Sequence, residues 1–533
     1  MTLTGFSPPI AGQRIELWPH RLQVAWRLYG PVLAALVALQ VVVYSYFFTT
    51  PIFTDHTFPN TWVQPYPSHR TREEGRWFQD LIICSQGGAG VQSFQMFLAA
   101  ALQGINGILF AKLLRLENRW AVFGVAAAIC LYPAILDMYC FASDHLTFVF
   151  GDTLALVGML WLAKTRPAPH NALVAVVCFT LSLAAYGPKI ALIALLCLCH
   201  VAMFLTRDDD GNARESAAAR GEFTATLARI AYVAVVFAAA CVCFYVSTKL
   251  TVADNAGMRV QLNTGPQMGS AVVEAYRKFL LYCTGDADYL PVPLRMLPAV
   301  AAALGCVALL LNAWRRGAAA VAILALLLPL IPLVLRASFI INANSFEGNG
   351  RISYVNGYAL VFFLAAALHR PALQWCAGGM LLVLLYVSAV VGTQETNAAA
   401  MRTIYETNMI NRLAARIEQE AGDLSTKTHA LVVIGRLPEL PYQRYVRYRN
   451  LQTQPHARFT AFPPFRQVAF LNFLLGQDVL KMPTKTQVER ATASTEGRKP
   501  WPSPESVYVD GDVVVVLLQP YKPGVARTLS SGD

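Results

Sequence analysis

Residues 51–93 gather side chains suited to chemistry: Asp55 and His56, then Glu73, Glu74, Gly75, Arg76 and Trp77. A carboxylate within reach of a hydroxyl can draw off its proton, and a guanidinium can hold an anion through its fork of N–H donors. Trp62, Tyr66, Trp77 and Phe78 give the same stretch the composition of a pocket wall held against a bilayer surface. Long apolar runs flank it, and carboxylates beside such runs are costly to keep without a use. The stretch is therefore read as the reaction site. A second tier of polar residues accompanies it: Asp144 and His145 at the start of an apolar run with Asp152 about two turns on, Asp137 before them, Lys189 after Tyr186-Gly187-Pro188, and Arg351 after Glu347-Gly348-Asn349-Gly350.

The elements that must position these residues follow from composition. The chain has 533 residues, 55% hydrophobic and only 14% charged, with a mean hydropathy of +0.43, which excludes an ordinary soluble protein and points to a polytopic membrane protein. Hydrophobic runs long enough to cross ~30 Å of hydrocarbon fall at 31–50, 94–112, 120–139, 145–163, 171–187, 189–206, 229–248, 293–313, 317–335, 353–368 and 372–392, about eleven spans. Residues 1–30 hold Arg14, Arg21 and Arg27 without a cleavage site, so the first span is expected to be a retained anchor.

Basic residues set the orientation. Lys112, Arg115, Arg119, Lys164, Arg166, Arg315, Arg316 and Arg370 lie in one set of connections, and the alternate short loops hold only Lys189. By the positive-inside rule the first set and residues 1–30 are cytoplasmic, and 51–93, 249–292 and 336–352 face outward. The expected division is a cytoplasmic segment 1–30, a transmembrane region 31–393 with the outer catalytic loop 51–93, and an outward-facing α/β domain 394–533. In the last of these, Met401–Ala421 and Arg466–Leu475 have helical spacing, while Ala430–Ile434 and Val513–Leu518 are β-branched runs. Arg444, Arg447 and Arg449 interleave with Tyr442, Tyr445 and Tyr448 and serve either an anionic headgroup or saccharide, or a solvated surface.

The net charge of +11 is spread over both membrane faces. It indicates membrane lipids, including anionic ones, as partners and no nucleic acid. The polar segment 207–229 is read as a cytoplasmic linker without a nucleotide-binding loop. Most of the 11 cysteines sit in apolar runs and are read as small hydrophobes, with no disulfide and no zinc site.

Asp55 in a first outer loop, the Glu74-Gly75-Arg76-Trp77 run, the hairpin at Tyr186-Gly187-Pro188 and Arg351 before a late span together resemble the serotype-converting O-antigen glucosyltransferases (Gtr-type), within the GT-C class of polytopic glycosyltransferases. The resemblance covers roughly residues 30–420. It implies a GT-C-like α-helical polytopic protein in a bacterial inner membrane, with the amino terminus cytoplasmic and the C-terminal α/β domain periplasmic. It also implies transfer of a hexose such as glucose from a polyprenyl-phosphate-linked donor to a lipid-linked glycan acceptor on the periplasmic face, with inversion. Family members commonly carry two adjacent acidic residues where this chain has Asp55-His56, which leaves the metal requirement and the sugar open.

Roles can be assigned on chemical grounds. Asp55, just past the first span, is the favoured general base, with Glu73 and Glu74 in reserve; it could instead cap a helix. Arg76 and Arg351 are placed to hold the phosphate leaving group, although Arg351 could be a snorkelling interfacial residue and Arg76 a brace to Asp55 or Glu73. Lys189 could add a phosphate contact. His56, Trp77, Tyr186, Asp144 and His145 complete the expected substrate-binding set, with helix capping an alternative for Asp144. No cofactor is required on this reading. Asp55, His56 and His69 have acceptable types for a divalent metal but a spacing without predictive geometry. Two other classes stay in view, a polytopic flippase or transporter and a non-catalytic subunit of polysaccharide assembly. The absence of an internal repeat and the clustering of polar residues in outer loops disfavour the transporter.

Overall fold

The computed structural model describes residues 12–49, 69–85, 92–139, 141–164, 168–206, 218–252, 263–284, 294–341, 350–422, 427–437 and 467–522. The helices that carry the argument are α1 (Gly12–Val43), α2 (His69–Glu74), α3 (Trp77–Ser85), α4 (Gln92–Leu113), α5 (Arg119–Cys130), α6 (Ala142–Leu162), α7 (Pro169–Ala185), α8 (Ile190–Leu205), α9 (Ala218–Thr251), α10 (Gly265–Thr284), α11 (Leu297–Arg316), α12 (Ala318–Leu327), α13 (Val355–Leu368) and α14 (Pro371–Ala421).

The protein is an α-helical polytopic membrane bundle. Among the described residues, eight helices are long and apolar enough to cross a membrane, or nine if α5 and the segment Pro133–Tyr139 count as one span. That pair is bent by 48° where Pro133 removes a backbone donor from the helical ladder. The other two expected spans are the shorter apolar helices α7 and α13.

Two expectations are corrected in the connections. Segment 218–228, read as linker, is the first three turns of α9, because Ala218, Ala219, Glu222 and Ala225 are strong helix formers. Segment 249–292, read as an outward-facing loop, contains α10, whose Val272, Val273, Tyr276, Phe279 and Leu280 recur at helical spacing.

The bundle core is built from α4, α5, α6, α8 and α13, with residues such as Phe110, Phe148, Leu196 and Phe362 fully buried. Lipid tails are as apolar as leucine, so close packing rather than water exclusion holds these helices together. At Gly305 of α11 an added Cβ would come within 2.6 Å of the Cα of Phe363 on α13, so only glycine permits that approach.

One end of the bundle is basic, and its cations satisfy helix ends. Arg229 of α9 donates from Nη2 to the carbonyls of Leu162 (2.6 Å) and Lys164 (2.9 Å) beyond α6. Arg316 donates to Phe204 O on α8 at 2.6 Å, and His369 Nε2 lies 2.8 Å from Leu114 O past α4. Each of these side chains sits at a helix C-terminus, where the last carbonyls lack intrahelical donors, and for the two arginines the dipole also favours the positive charge.

Helix α14 starts at this basic end with Pro371 in its first turn and runs for 51 residues, about 77 Å at the helical rise. Its C-terminal third leaves the apolar bundle. There Ile410, Leu413 and Ile417 pack on a four-stranded sheet of β1 (His429–Ile434), β2 (Leu480–Lys481), β3 (Val507–Asp510) and β4 (Val513–Leu517), ordered β2-β1-β4-β3. Strand β1 is parallel to β2 and β4, with Ala430 opposite Val513 and Ile434 opposite Leu517; β3 and β4 form an antiparallel hairpin.

Past His429 at the start of β1, both central strands are apolar because both sheet faces are covered. Helix α15 (Gln467–Leu475) joins α14 on one face, and α16 (Lys485–Ala493) covers the other through Val488 and Ala491. Thr484 and Gln487 form a capping box at the start of α16. The run Arg444, Arg447 and Arg449 lies outside the described residues.

Candidate active site

Opposite the basic end, α2 and α3 lie across the N-terminal end of α6 and the C-terminal ends of α7 and α9, and four contacts fix them. Arg70 of α2 is only 1% exposed, and its Nη2 lies 3.1 Å from Asp144 Oδ1 on α6. Thr71 Oγ1 donates to Asp80 Oδ2 at 2.7 Å, tying α2 to α3. Trp77 Nε1 donates to Ser247 Oγ on α9 at 3.2 Å. Gly75 joins the two short helices at φ +67°, and an added Cβ there would lie 2.5 Å from Thr248 Cγ2 on α9. The glycine of the Glu-Gly-Arg-Trp run is therefore required twice, by its backbone angle and by its neighbour.

This join aims Arg76 inward. Its Nε pairs with Glu74 at 3.0 Å, and its guanidinium lies 4.8 Å from the ring centroid of Tyr186. The brace considered for Arg76 is thus made by Glu74, its near neighbour, and not by Glu73. Glu73 is half-buried and has no ion pair among the described residues.

Asp144 lies in the first turn of α6, but the N-cap residue of that helix is Phe141, which offers no side-chain cap. Asp144 instead pairs with Arg70. Beside it, the ring of His145 lies tilted against that of Tyr139, their centroids 4.3 Å apart; the Tyr139 hydroxyl donates to Gln40 Oε1 at 3.1 Å, and Gln40 Nε2 in turn donates to Ala100 O at 3.0 Å. His145 is 1% exposed, its ring buried beside the Met138 backbone. Asp137 is buried on the same side. Burial raises the Cys84 thiol above its ordinary range, with Asp80 adding to the shift and Arg70 opposing it, so this cysteine stays protonated at neutral pH.

A second polar layer lies about 12 Å further in, eight residues along α6 at the helical rise. Helix α7 stops at Ala185, and the chain turns through Tyr186 into the 3-10 turn Gly187–Lys189 at this depth. Lys189 is fully buried. Its Nζ donates to Asp152 Oδ1 at 2.5 Å and to Tyr354 Oη at 2.9 Å, and Tyr354 Oη donates to the same Asp152 oxygen at 2.7 Å. The turn itself is half-buried, with open space next to Gly187. Tyr186 forms a wall between the layers, with Arg76 on one side, Phe148 at 4.7 Å, and Lys189 Nζ at 6.0 Å from its centroid.

The structure thus gathers Glu74, Arg76, Trp77, Asp144, His145, Tyr186 and Lys189 at one end of the bundle. It engages the Lys189 ammonium with Asp152 and Tyr354, where the sequence left it open for a phosphate. Asp55 and His56 lie outside the described residues, as do Trp62 and Tyr66. Arg351 is the second residue of the short helix Gly350–Ser353, three residues before Tyr354, and its side chain is outside the described residues. Among the described residues, no three metal-ligating side chains gather at one point.

Sequence reasoning missed Arg70, Gln40, Tyr139 and Tyr354. Arg70 stands among other charges in a polar loop and has no periodic signal. Gln40 was the one with a usable signal, as an amide inside an apolar run.

A family model described as glucosyl transferase GtrII matches residues 61–364, more than half of the chain. The chain belongs to that family. Family membership makes it a glycosyltransferase and agrees with the resemblance drawn from the Glu74-Gly75-Arg76-Trp77 run and the Tyr186-Gly187-Pro188 hairpin. The matched segment takes in both polar layers except Gln40, together with α2, α3 and Arg351; Asp55, His56 and the sheet fall outside it. No curated protein and no solved structure matches the chain.

Proposed function

We propose that this GtrII-family protein moves a glucosyl or related hexosyl group from a polyprenyl-phosphate carrier to a lipid-linked glycan such as O-antigen, at the periplasmic face of a bacterial inner membrane. The observation that carries the proposal is the convergence of Arg76, Glu74, Tyr186, Asp144 and His145 at the end of the bundle opposite the basic caps. With the basic end cytoplasmic, that convergence faces the periplasm. On this reading all eleven apolar segments cross the membrane in a GT-C-like arrangement, and the C-terminal sheet shares the periplasmic side.

The reaction is a single displacement with inversion. The acceptor hydroxyl oxygen attacks the anomeric carbon while a carboxylate takes its proton. The bond from that carbon to the phosphate oxygen breaks, and its electron pair stays on the phosphate. Negative charge grows on the leaving oxygen, where preplaced guanidinium groups stabilise it; Arg76 and Arg351 are assigned that role.

The base must be a carboxylate without a tight counter-ion. Glu74 is paired with Arg76 and Asp144 with Arg70, which favours Asp55, with Glu73 next. Trp77 and Tyr186 offer ring faces for the sugar.

The test uses membranes supplied with polyprenyl-phosphate sugar and acceptor, following transfer and protein abundance together. Asp55→Asn is expected to lower transfer by about 10²–10⁴-fold, the usual scale of a general base, at unchanged abundance. Transfer at the wild-type rate removes Asp55 from the role and passes it to Glu73, tested as Glu73→Gln. A flippase would instead lose whole lipid-linked units, and a non-catalytic subunit would tolerate both changes.

A further inference from the structure

The buried triad Asp152, Lys189 and Tyr354 touches no part of the outer loop that the proposed reaction uses, yet its members lie on three separate stretches of chain. Asp152 is eight residues below Asp144 on α6. Lys189 closes the recessed turn that begins with Tyr186. Tyr354 precedes α13 and follows Arg351 by three residues. All three side chains are at most 2% exposed, and each makes hydrogen bonds to the other two.

The triad's reach extends to both phosphate-holding arginines. From the turn, the Tyr186 ring lies 6.0 Å from Lys189 Nζ and 4.8 Å from the Arg76 guanidinium, measured to its centroid. From the other arm, the triad anchors the backbone one helical turn from Arg351. A buried ion pair is weak evidence for stability, since apolar residues of similar volume often serve as well. Its better-attested use is to select one arrangement among several packings. Three bonds closing a triangle across three spans do that, because a slip of any one helix by a turn, about 5.4 Å, breaks two of them.

We propose that Asp152, Lys189 and Tyr354 are positioning residues that set the Tyr186 turn, and through it Arg76, in register with the short helix Gly350–Ser353, so that the site is held in the arrangement that receives the donor's lipid phosphate. The inference rests on the proposed donor chemistry for its consequence, but the positioning can be measured without it.

Two variants separate positioning from folding. Tyr354→Phe deletes two of the three bonds and keeps the ring. Asp152→Asn combined with Lys189→Met removes both charges together and leaves no uncompensated ion. The first measurement is amide hydrogen exchange of the full chain in nanodiscs. Both variants are expected to speed exchange at least fivefold at 186–190 and 350–354 and to leave α14 unchanged. Unchanged exchange in those segments overturns the proposal whatever the substrate is.

The second measurement is steady-state transfer. For Tyr354→Phe, KM for the polyprenyl-phosphate sugar is expected to rise about tenfold, with KM for the acceptor within twofold of wild type. The charge-free double variant is expected to match wild type in abundance and still show the raised donor KM. A loss of Vmax accounted for by lower protein abundance, with kcat and both KM values unchanged, means that the triad supports folding alone and overturns the inference. If exchange rises as expected but wild type transfers no sugar from any polyprenyl phosphate, the donor assignment fails and the positioning stands.

Discussion

Gly75 shows what a single residue decides at this site. With φ at +67°, a residue carrying a Cβ costs about 1–2 kcal/mol in backbone strain, and the Cβ would also meet Thr248 at 2.5 Å. Gly75→Ala is therefore expected to displace α2 and α3 from α9 and turn Arg76 away from Tyr186, lowering transfer by at least tenfold. Adding Thr248→Ala relieves the collision but not the strain, so the pair should recover only part of the loss, read as transfer per folded protein. Equal loss in single and double variants would mean that the contact with Thr248 is immaterial. Residues of this kind were partly legible. The Glu-Gly-Arg-Trp run and Lys189 stand out in the sequence by type, but their partners do not. Asp152 and Tyr354 are 202 residues apart, and nothing local marks Tyr354 as the hydroxyl an intramembrane acid would find. Arg70 was hidden among the charges of its own loop for the same reason.

Elements were easier to read than partners, because hydropathy reports the solvent of a helix directly. The apolar runs predicted for α4, α6, α8 and α11 are helices in the structure. What hydropathy could not report is how the ends are finished, since that depends on cations arriving from other helices. Arg229 is the clearest case. It is buried and gives two hydrogen bonds to the carbonyls beyond α6 and a third, from Nε, to His200 Nε2 at 3.3 Å. Arg229→Ala leaves those carbonyls without donors and is expected to cost about 1–3 kcal/mol, measured by thermal unfolding in nanodiscs. Arg229→Lys keeps the charge without the fork and should recover about half of that. Because Arg229 is at the end opposite Arg76, transfer per folded protein should stay within twofold in both variants. A tenfold fall in specific transfer would mean that the basic end is coupled to the site. Amphipathic α10 and the first turns of α9 were misread for a related reason, since their mixed composition resembles loop until the helical period is counted over several turns.

At the scale of the whole molecule, the two ends differ in kind. One carries Arg229, Arg316 and His369 at helix C-termini; the other carries α2, α3 and the buried polar layers, and α14 extends from the first end past the bundle to the sheet. Helix α4 has 22 residues, about 33 Å at the helical rise, enough to separate the ends by the ~30 Å of a hydrocarbon core. The proposed orientation then makes a demand on three distant positions at once. Ser85 at the end of α3, Lys481 in β2 and Glu117 between α4 and α5 are all exposed. Replaced singly by cysteine, Ser85 and Lys481 should react with a membrane-impermeant thiol reagent in intact spheroplasts, above the background of the native cysteines. Glu117 should react only after the membrane is opened. The pattern discriminates among errors. If all three reactivities reverse, the membrane orientation is wrong and the bundle survives. If Ser85 and Lys481 differ from each other, α14 does not carry the sheet to the side of the site, and a large lipid-linked acceptor could not meet both.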